Sequence, residues 1–578
     1  MLLANIPHPI TITEEMLVNR TFTFRSETAD ATISETFLLS ATGLIAGYSH
    51  PNERTWDIRD NCLRIIDQHG NATCHLHIRP SELGIFELAG HFRDPSNGYQ
   101  ETHVVHTLQD MGSDYHLKIQ SFDLFDTLVA RRCFEPLAVF RNVEEKSGVL
   151  HFAARRHAVE MSMFGRQAYG LEEIYALLIA ERLITEHQAQ VLKAMELEEE
   201  WEMLFPIAEI ISHVKPDDII ISDMYLPREF IERVLREKCG LDNKLYLSNY
   251  GKHHRTIWPE IKDTHSIRAH FGDNWHADVV GASEAGIQPM FVSISKWNQS
   301  EEILRACGLE PYAHALRELR LETFHDDLPT LKAIQAQVAI NLPLLLLGSF
   351  WINQTAKEFG ADKILACARD SNLWNGILSS KHLARYGMPI THYTSISRFA
   401  CLAPSPDYEA YFLSHLGRKN LLIDVVGTGR SLTTLIDRLQ LSHRIQPCVL
   451  VADQNTPAVL PNTKFLLAKE FTTHRLALEM LNTSSDGSTI GAMSDGARLQ
   501  ILKQPVEYSA SFIEIMRECR IVSDRFIAIL DKLPALQNLP QMDVIRSSAN
   551  AIADQLPPQL FNLQAVISEF NDNIRVSS

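Results

Sequence analysis

A chain of 578 residues is long enough for about four domains at roughly 150 residues each. Its composition, 45% hydrophobic and 22% charged, excludes a wholly disordered, collagen-like or coiled-coil chain. With 54 basic against 71 acidic residues the net charge is −17, which argues against nucleic acid as a partner, because non-specific binding needs a basic surface to displace counterions. Local basic patches remain able to hold phosphates.

The nine cysteines include no CxxC pair and read as reduced, mostly buried thiols of a cytosolic protein. The opening MLLANIPHPITITEE lacks a charged region followed by a long apolar stretch, so no secretory signal is expected. The most apolar run, Leu344 to Ile352, is too short to span a bilayer and reads as a buried helix. The expectation is a soluble, cytoplasmic protein without a transmembrane segment. Peripheral contact with the inner face of a membrane is compatible with that expectation.

In chain order, residues 1–110 carry short alternating stretches (TFTFRS, FLLSATGLIAGY, CLRIIDQHG, ATCHLHI, GIFELAGHF) separated by Gly, Asn and Pro turns. That pattern predicts a small antiparallel β domain. His75 and His77 alternate on one strand, which fits a solvated face or a metal pair. Trp56 fits a core position or a platform for a sugar.

Residues 111–305 alternate strand and helix patterns. LKIQSFDLF, DDIIISD, KLYLSN, IRAHFGD and IQPMFVSI are short apolar strands, an order that predicts a parallel α/β sheet. Helix-like sequence from about 134 to 214 separates the first two strands. Its acidic run, Glu196 to Glu202, reads as a solvated helix face. Residues 306–330 read as a linker, 331–470 as a second α/β domain with strands in ADKILACARDS, PITHYTSIS, KNLLIDVVGTG, QPCVLVAD and TKFLLAK, and 471–578 as a helical region. The fold class is therefore multidomain α/β.

Four features of the first α/β domain fall at carboxyl ends of strands, where an open sheet places its ligands. Asp123 ends the first strand, Ser222 and Asp223 the second, Lys252 follows the third, and Asp273 and Asp278 follow the fourth. A carboxylate that attacks phosphorus, further carboxylates that hold Mg²⁺, and a lysine and a hydroxyl on the phosphate make a phosphoryl-transfer set. The ordered set resembles the haloacid dehalogenase superfamily over about 190 residues, with FDLFDTL as first motif, GDNWHAD as last, and the helical insertion in the place of that superfamily's cap. The resemblance implies Asp123 as nucleophile and metal ligand, Ser222 on the phosphate, Lys252 steadying it, and Asp273 on Mg²⁺ with Asp278 as ligand or as partner to one. Two places after the nucleophile these phosphatases usually carry an acid. Here Phe125 stands there, and Asp126 follows as the candidate proton donor.

NLLIDVVGTGRSLTTLIDRL reads as strand, glycine loop and helix. Gly427 and Gly429 permit a tight turn, Thr428, Arg430 and Ser431 supply donors, and the helix N-terminus is an anion site. Asp424 ends the strand, positioned for ribose hydroxyls or a metal. This resembles the PRPP loop of type I phosphoribosyltransferases, although Val425 replaces the second acid and the spacing is one residue shorter. Arg369, Asp370 and Ser371 follow the strand at which that family binds pyrophosphate, and Arg398 follows the next. The resemblance covers about 140 residues.

Together the two resemblances imply a bifunctional enzyme that transfers ribose 5-phosphate from PRPP to a sugar acceptor and then removes the 5-phosphate, with Mg²⁺ as cofactor. The combination is similar to bacterial ribofuranose-adding enzymes of capsule and O-antigen assembly, whose acceptors are glycans, lipid-linked ones included. Three other readings stay open: a sugar-phosphate phosphatase with a non-catalytic C-terminal scaffold, a transferase for a base acceptor, and an interaction protein built from two degenerate enzyme folds.

Overall fold

Alternation in the first hundred residues forms strands that each bury one face. The computed structural model describes residues 11–18, 20–40, 43–46, 48, 50–79, 87–110, 119–452, 462–468, 475–496 and 498–556. It divides into two units, Met1–Lys296 and Trp297–Ser578.

The first unit begins with eight antiparallel strands: β1 (Thr21–Ser26), β2 (Ala31–Leu39), β3 (Ile45–Ala46), β4 (Thr55–Arg59), β5 (Cys62–Ile66), β6 (Ala72–Arg79), β7 (Glu87–Asp94) and β8 (Gln100–Asp110). Their order is β3-β2-β1-β8-β7-β6-β5-β4. The two end strands meet where Leu44 bridges Thr55, and the Trp56 amide donates to the Gly43 carbonyl at 2.8 Å. The sheet therefore closes into a barrel, which removes its free edges. Phe22, Phe24, Phe37, Leu63, Leu76 and Leu108 fill the interior. Trp56 belongs to that core at 1% exposure, with Nε1 donating to the Ser40 carbonyl at 3.0 Å. His77 is exposed and His75 half-buried, and neither joins a group able to hold a metal among the described residues.

The five predicted strands that follow all form: β9 (Ile119–Phe122), then, beyond the short β10 (Val129–Arg131) and β11 (Leu204–Pro206), β12 (Ile219–Asp223), β13 (Lys244–Ser248), β14 (Ile267–Gly272) and β15 (Gln288–Phe291). They make a parallel sheet of order β13-β12-β9-β14-β15. The order reverses between β9 and β14, which opens a crevice at their carboxyl ends. The antiparallel pair β10–β11 forms the base of a helical insertion made of Pro136–Ser147, Phe152–Met163, Leu171–Ala180 and Glu186–Met203, with its own core.

The acidic run of that insertion is a solvated face only at Glu198 and Glu202. Glu196, Glu199 and Glu200 are buried. Arg156, itself fully buried, makes a bidentate pair with Glu196 at 3.0 and 2.7 Å, and the Tyr175 hydroxyl donates to the same carboxylate at 2.9 Å. Arg131 pairs with Glu200 at 2.6 Å, and Lys146 with Glu199. Two buried arginines and a half-exposed lysine, all distant in sequence, turn part of what reads as surface charge into core.

In the second unit β16 (Lys363–Cys367), β17 (Ile390–Thr394), β18 (Asn420–Gly427), β19 (Ile445–Ala452) and β20 (Lys464–Leu467) match the predicted strands. They pair in parallel in the order β17-β16-β18-β19-β20, which places the reversal between β16 and β18. The apolar run lies in the buried helix Leu342–Phe359. The longer helical stretch Leu328–Phe359 is apolar enough to cross a membrane, yet 89% of its most apolar window is buried within the protein. Residues 306–330 are not a linker: the helix Glu310–Glu322 buries Tyr312, Leu316 and Leu319 in the core of the unit. The region after 470 is not purely helical. The hairpin β21 (Thr489–Ser494) and β22 (Leu499–Lys503) precedes the helices Ala510–Leu530 and Met542–Ala553. The prolines at 557 and 558 and the rest of the chain to 578 lie outside the described residues.

Candidate functional sites

Asp123 follows β9, and its amide donates to the Phe271 carbonyl of β14 at 2.7 Å, which fixes the strand end in the crevice. Lys252 reaches the same point from the loop after β13. Its Nζ donates to Asp123 Oδ1 at 2.6 Å and to the Ile221 carbonyl at 3.2 Å, and it also pairs with Asp278. Oxygens of Asp123, Asp273 and Asp278 lie within 4.8 Å of one another. Residues from three separate strand ends, predicted as one site, are thus brought together.

Two further groups hold this arrangement: Asp223, expected at a strand end but without an assigned role, and His270, which the sequence does not single out. The Asp223 carboxylate accepts the backbone N–H of Lys252 at 2.9 Å and that of His253 at 3.0 Å, so it fixes the lysine loop. His270, fully buried on β14, lies 3.1 Å from Asp278 Oδ1 through Nε2 and 2.9 Å from the Ser121 hydroxyl through Nδ1. The signal for His270 is a polar residue on an apolar strand, and that for Asp223 is a second strand-end carboxylate. Ser222 is buried at the end of β12, beside Leu247 of β13.

The charges are unequal. Burial pushes the Asp123 carboxyl well above its usual range, against the pull of Lys252. Burial raises Asp278 as well, but Lys252 and His270 outweigh it and hold that carboxyl below the ordinary range. Burial lowers the Lys252 ammonium, and Asp123 and Asp278 more than offset this, so its pKa stands above the usual value. Asp273 is pushed up to about 7 by burial, then by Asp126 and Asp278.

Phe125 is buried, with the Arg131 guanidinium 4.6 Å from its ring centre. It is a packing residue at the base of the insertion. Asp126, in a left-handed turn at φ +55° with its amide donating to Val129 at 2.6 Å, is half-buried, and its charge acts on Asp273.

These values carry a pH prediction. A folded Asp273 near 7, against an unfolded value of about 3.9, holds a proton that the unfolded chain has released. Between those values stability falls as pH rises. Asp123 is shifted in the same direction, whereas the lowered Asp278 acts only below its unfolded value. Histidines whose pKa burial lowers, His270 among them, act in the opposite direction up to their unfolded value, so the Asp273 contribution is read as a difference. In chelator the melting temperature of wild type relative to Asp273→Asn is expected to fall from about pH 5.5 to about pH 8. Mg²⁺, which needs the deprotonated carboxylates, is expected to raise it more at the higher pH. Thermal unfolding at the two pH values, with and without Mg²⁺, checks both signs.

The second site lies at the β16/β18 reversal in the second unit. A cavity of about 370 Å³ is lined by Arg369, Asp370, Arg398, Asp424, Glu479 and the loop from Gly427 to Ser431. Gly429 has φ +74°, and a Cβ there would stand 2.8 Å from the Thr463 side chain, so only glycine fits. The Thr428 hydroxyl accepts the Arg430 amide at 3.2 Å, opening the helix Arg430–Arg438. Burial, together with Asp370, raises Asp424 well above its usual range, while the Val425 amide donates to it at 3.0 Å. Burial also raises Asp370, against Arg369 and Arg398, and its Oδ1 is buried without a hydrogen-bond partner among the described residues.

Ser371 does not line this cavity. It is fully buried, and its hydroxyl donates to the Ile423 carbonyl at 3.4 Å, so it ties β16 to β18. Val425, at the place of the expected second acid, lies in the hydrophobic core. Glu479, on the helix Arg475–Asn482, was missed because its approach is a long-range contact with no local signal. A second group able to hold a metal, His325 with Glu514 and Glu518, has both glutamates paired with Arg517, which offsets part of their charge.

No family model matches the chain, and no curated protein matches it in sequence.

Proposed function

We propose that the chain is a bifunctional ribofuranosylating enzyme. The second unit transfers ribose 5-phosphate from PRPP to a sugar acceptor of surface-glycan assembly, and the first unit then removes the 5-phosphate. The observation that carries the phosphatase step is the Lys252 ammonium at 2.6 Å from Asp123, beside Asp273 and Asp278, at the sheet reversal. The transfer step is supported by the cavity at the other reversal, which combines Arg369, Arg398, a glycine loop and Asp424.

In the first step of phosphate removal an Asp123 oxygen attacks phosphorus, the ester P–O bond breaks, and the alcohol leaves with a proton from Asp126, which regains one from the water of the next step. Water then cleaves the aspartyl-phosphate to inorganic phosphate and restores Asp123. Lys252 holds the phosphate oxygens and, through Asp278, the carboxylate array. Three hard-oxygen donors fit Mg²⁺. Asp123, Asp273 and Asp278 would hold it, and the ion would supply charge neutralisation on the phosphate. In the second unit Arg369 and Arg398 offer guanidinium forks to pyrophosphate, and the loop from Gly427 to Ser431 offers backbone N–H groups to the 5-phosphate.

The two activities separate by variant. With water as acceptor, the wild-type chain is expected to release pyrophosphate from PRPP and phosphate from ribose 5-phosphate. Asp424→Asn is expected to lose only the first release, and Asp123→Asn only the second. Asp123→Asn should also accumulate phosphorylated product once a sugar acceptor is supplied. Loss of both releases in either variant, or of neither in both, contradicts the assignment.

A further inference from the structure

Two exposed aromatic side chains adjoin the loops that carry the lysine and the carboxylates of the first unit and take no part in the chemistry described. Trp275 is 62% exposed and Phe164 55%. Trp275 lies between Asp273 and Asp278 on the loop after β14. Its ring stands edge-on to Phe291 at 5.7 Å, and the Lys296 ammonium lies 4.8 Å from the Phe291 ring centre. The charge of Lys296 also acts on Asp273, so this shelf lies within electrostatic reach of that carboxylate. Phe164 follows the insertion helix Phe152–Met163, and its ring lies 5.6 Å from that of His253, the residue after Lys252. His253 lies 4.9 Å from His276. One exposed ring thus comes from the insertion and one from the sheet domain, and each adjoins a loop that carries a group of the carboxylate–lysine site.

We propose that Phe164 and Trp275 grip the leaving group of the phosphate ester, and that this group is a saccharide. Aromatic faces suit the C–H faces of a sugar ring, and His253, His276 and Lys296 supply polar partners for its hydroxyls. An acetyl group is too small to engage both rings and offers no hydroxyl to the polar groups, and a nucleoside, which also carries a sugar, is told from a saccharide by the adenosine 5′-monophosphate arm of the test. The proposal rests on the phosphatase reading of Asp123. Phe164 and Trp275 are specificity-determining residues for that reaction.

The full-length chain with Mg²⁺ is assayed on ribose 5-phosphate and on acetyl phosphate, whose leaving group has no ring. Trp275→Ala and Phe164→Ala are each expected to raise KM for ribose 5-phosphate about tenfold and to leave kcat/KM for acetyl phosphate within about twofold. Trp275→Phe is expected to retain most of the wild-type preference. Equal losses on both substrates, or none on either, overturn the proposal, as does a wild-type preference for adenosine 5′-monophosphate over ribose 5-phosphate. A readout without turnover separates the two claims. In Asp123→Asn, ribose 5-phosphate is expected to change the tryptophan fluorescence, and the change is expected to vanish when Trp275→Phe is added. If that change is seen but wild type hydrolyses neither phosphate, the phosphatase reading falls and the sugar shelf stands. If both phosphates are hydrolysed and the fluorescence is silent, the shelf falls and the phosphatase stands.

Discussion

Asp123→Asn is expected to lower phosphate release from ribose 5-phosphate by about 10³-fold or more while leaving the melting temperature unchanged or higher. The amide keeps the shape of the side chain but cannot form the acyl-phosphate. The stability half of the prediction follows from the charge. Burial raises the Asp123 carboxyl well above its usual range, so its ionised form is disfavoured in the fold, and a neutral amide relieves that. Lys252 keeps Asp278 as its partner, so no buried cation is stranded. A colorimetric phosphate assay beside thermal unfolding measures both halves. Asp126→Asn gives the comparison. Asp126 acts on Asp273 by charge and is not bonded to Lys252, so its loss is expected to be smaller. Full activity in Asp123→Asn reduces the site to a structural ion cluster.

Arg156→Ala is expected to destabilise the helical insertion by about 3–5 kcal/mol. The substitution leaves Glu196, 1% exposed, without its bidentate cation, and it removes the partner of Glu160 at 2.7 Å. It also uncovers the rings of Phe140 and Tyr225, whose centres lie 4.5 and 4.8 Å from the guanidinium. Most of the cost comes from the stranded carboxylate. The double variant Arg156→Met with Glu196→Leu is therefore expected to recover much of the stability, because apolar replacements of a buried pair are often neutral. Hydrogen exchange over residues 136–203 reads the effect locally. A change below about 1 kcal/mol in the single variant contradicts the burial of the pair.

The strands of the two parallel sheets were legible because each is a short apolar run ending in polar residues, and the run fixes both length and exit point; their order within each sheet was not. The same exit points placed Asp123, Lys252, Asp273, Asp278, Asp424 and the Gly427 loop. Phe125 and Val425 looked like lost acids, and the structure shows why they are apolar: one lies beneath Arg131, the other in the sheet core. What stayed hidden depends on partners far away in sequence. Nothing near Glu196 announces that Arg156 will bury it. Ser371 sits in the stretch read as a binding loop, but its hydroxyl turns to the neighbouring strand. Closure of the barrel runs through the bridge between Leu44, in the turn before β3, and Thr55, the first residue of β4. The β21–β22 hairpin was missed because Gly and Ser dilute its alternation.

The central claim is that one chain carries two phosphate sites with different ligands. It is tested most directly by thermal unfolding with PRPP and Mg²⁺, for wild type, Asp424→Asn and Asp123→Asn. A ligand bound only to the folded state at about 100 times its Kd adds roughly 2.7 kcal/mol, a readable shift. The account predicts a PRPP shift in wild type, kept in Asp123→Asn and weakened in Asp424→Asn. No shift in wild type, or one that Asp424→Asn leaves intact, contradicts a PRPP site at the β16/β18 crevice and leaves a phosphatase without a transferase.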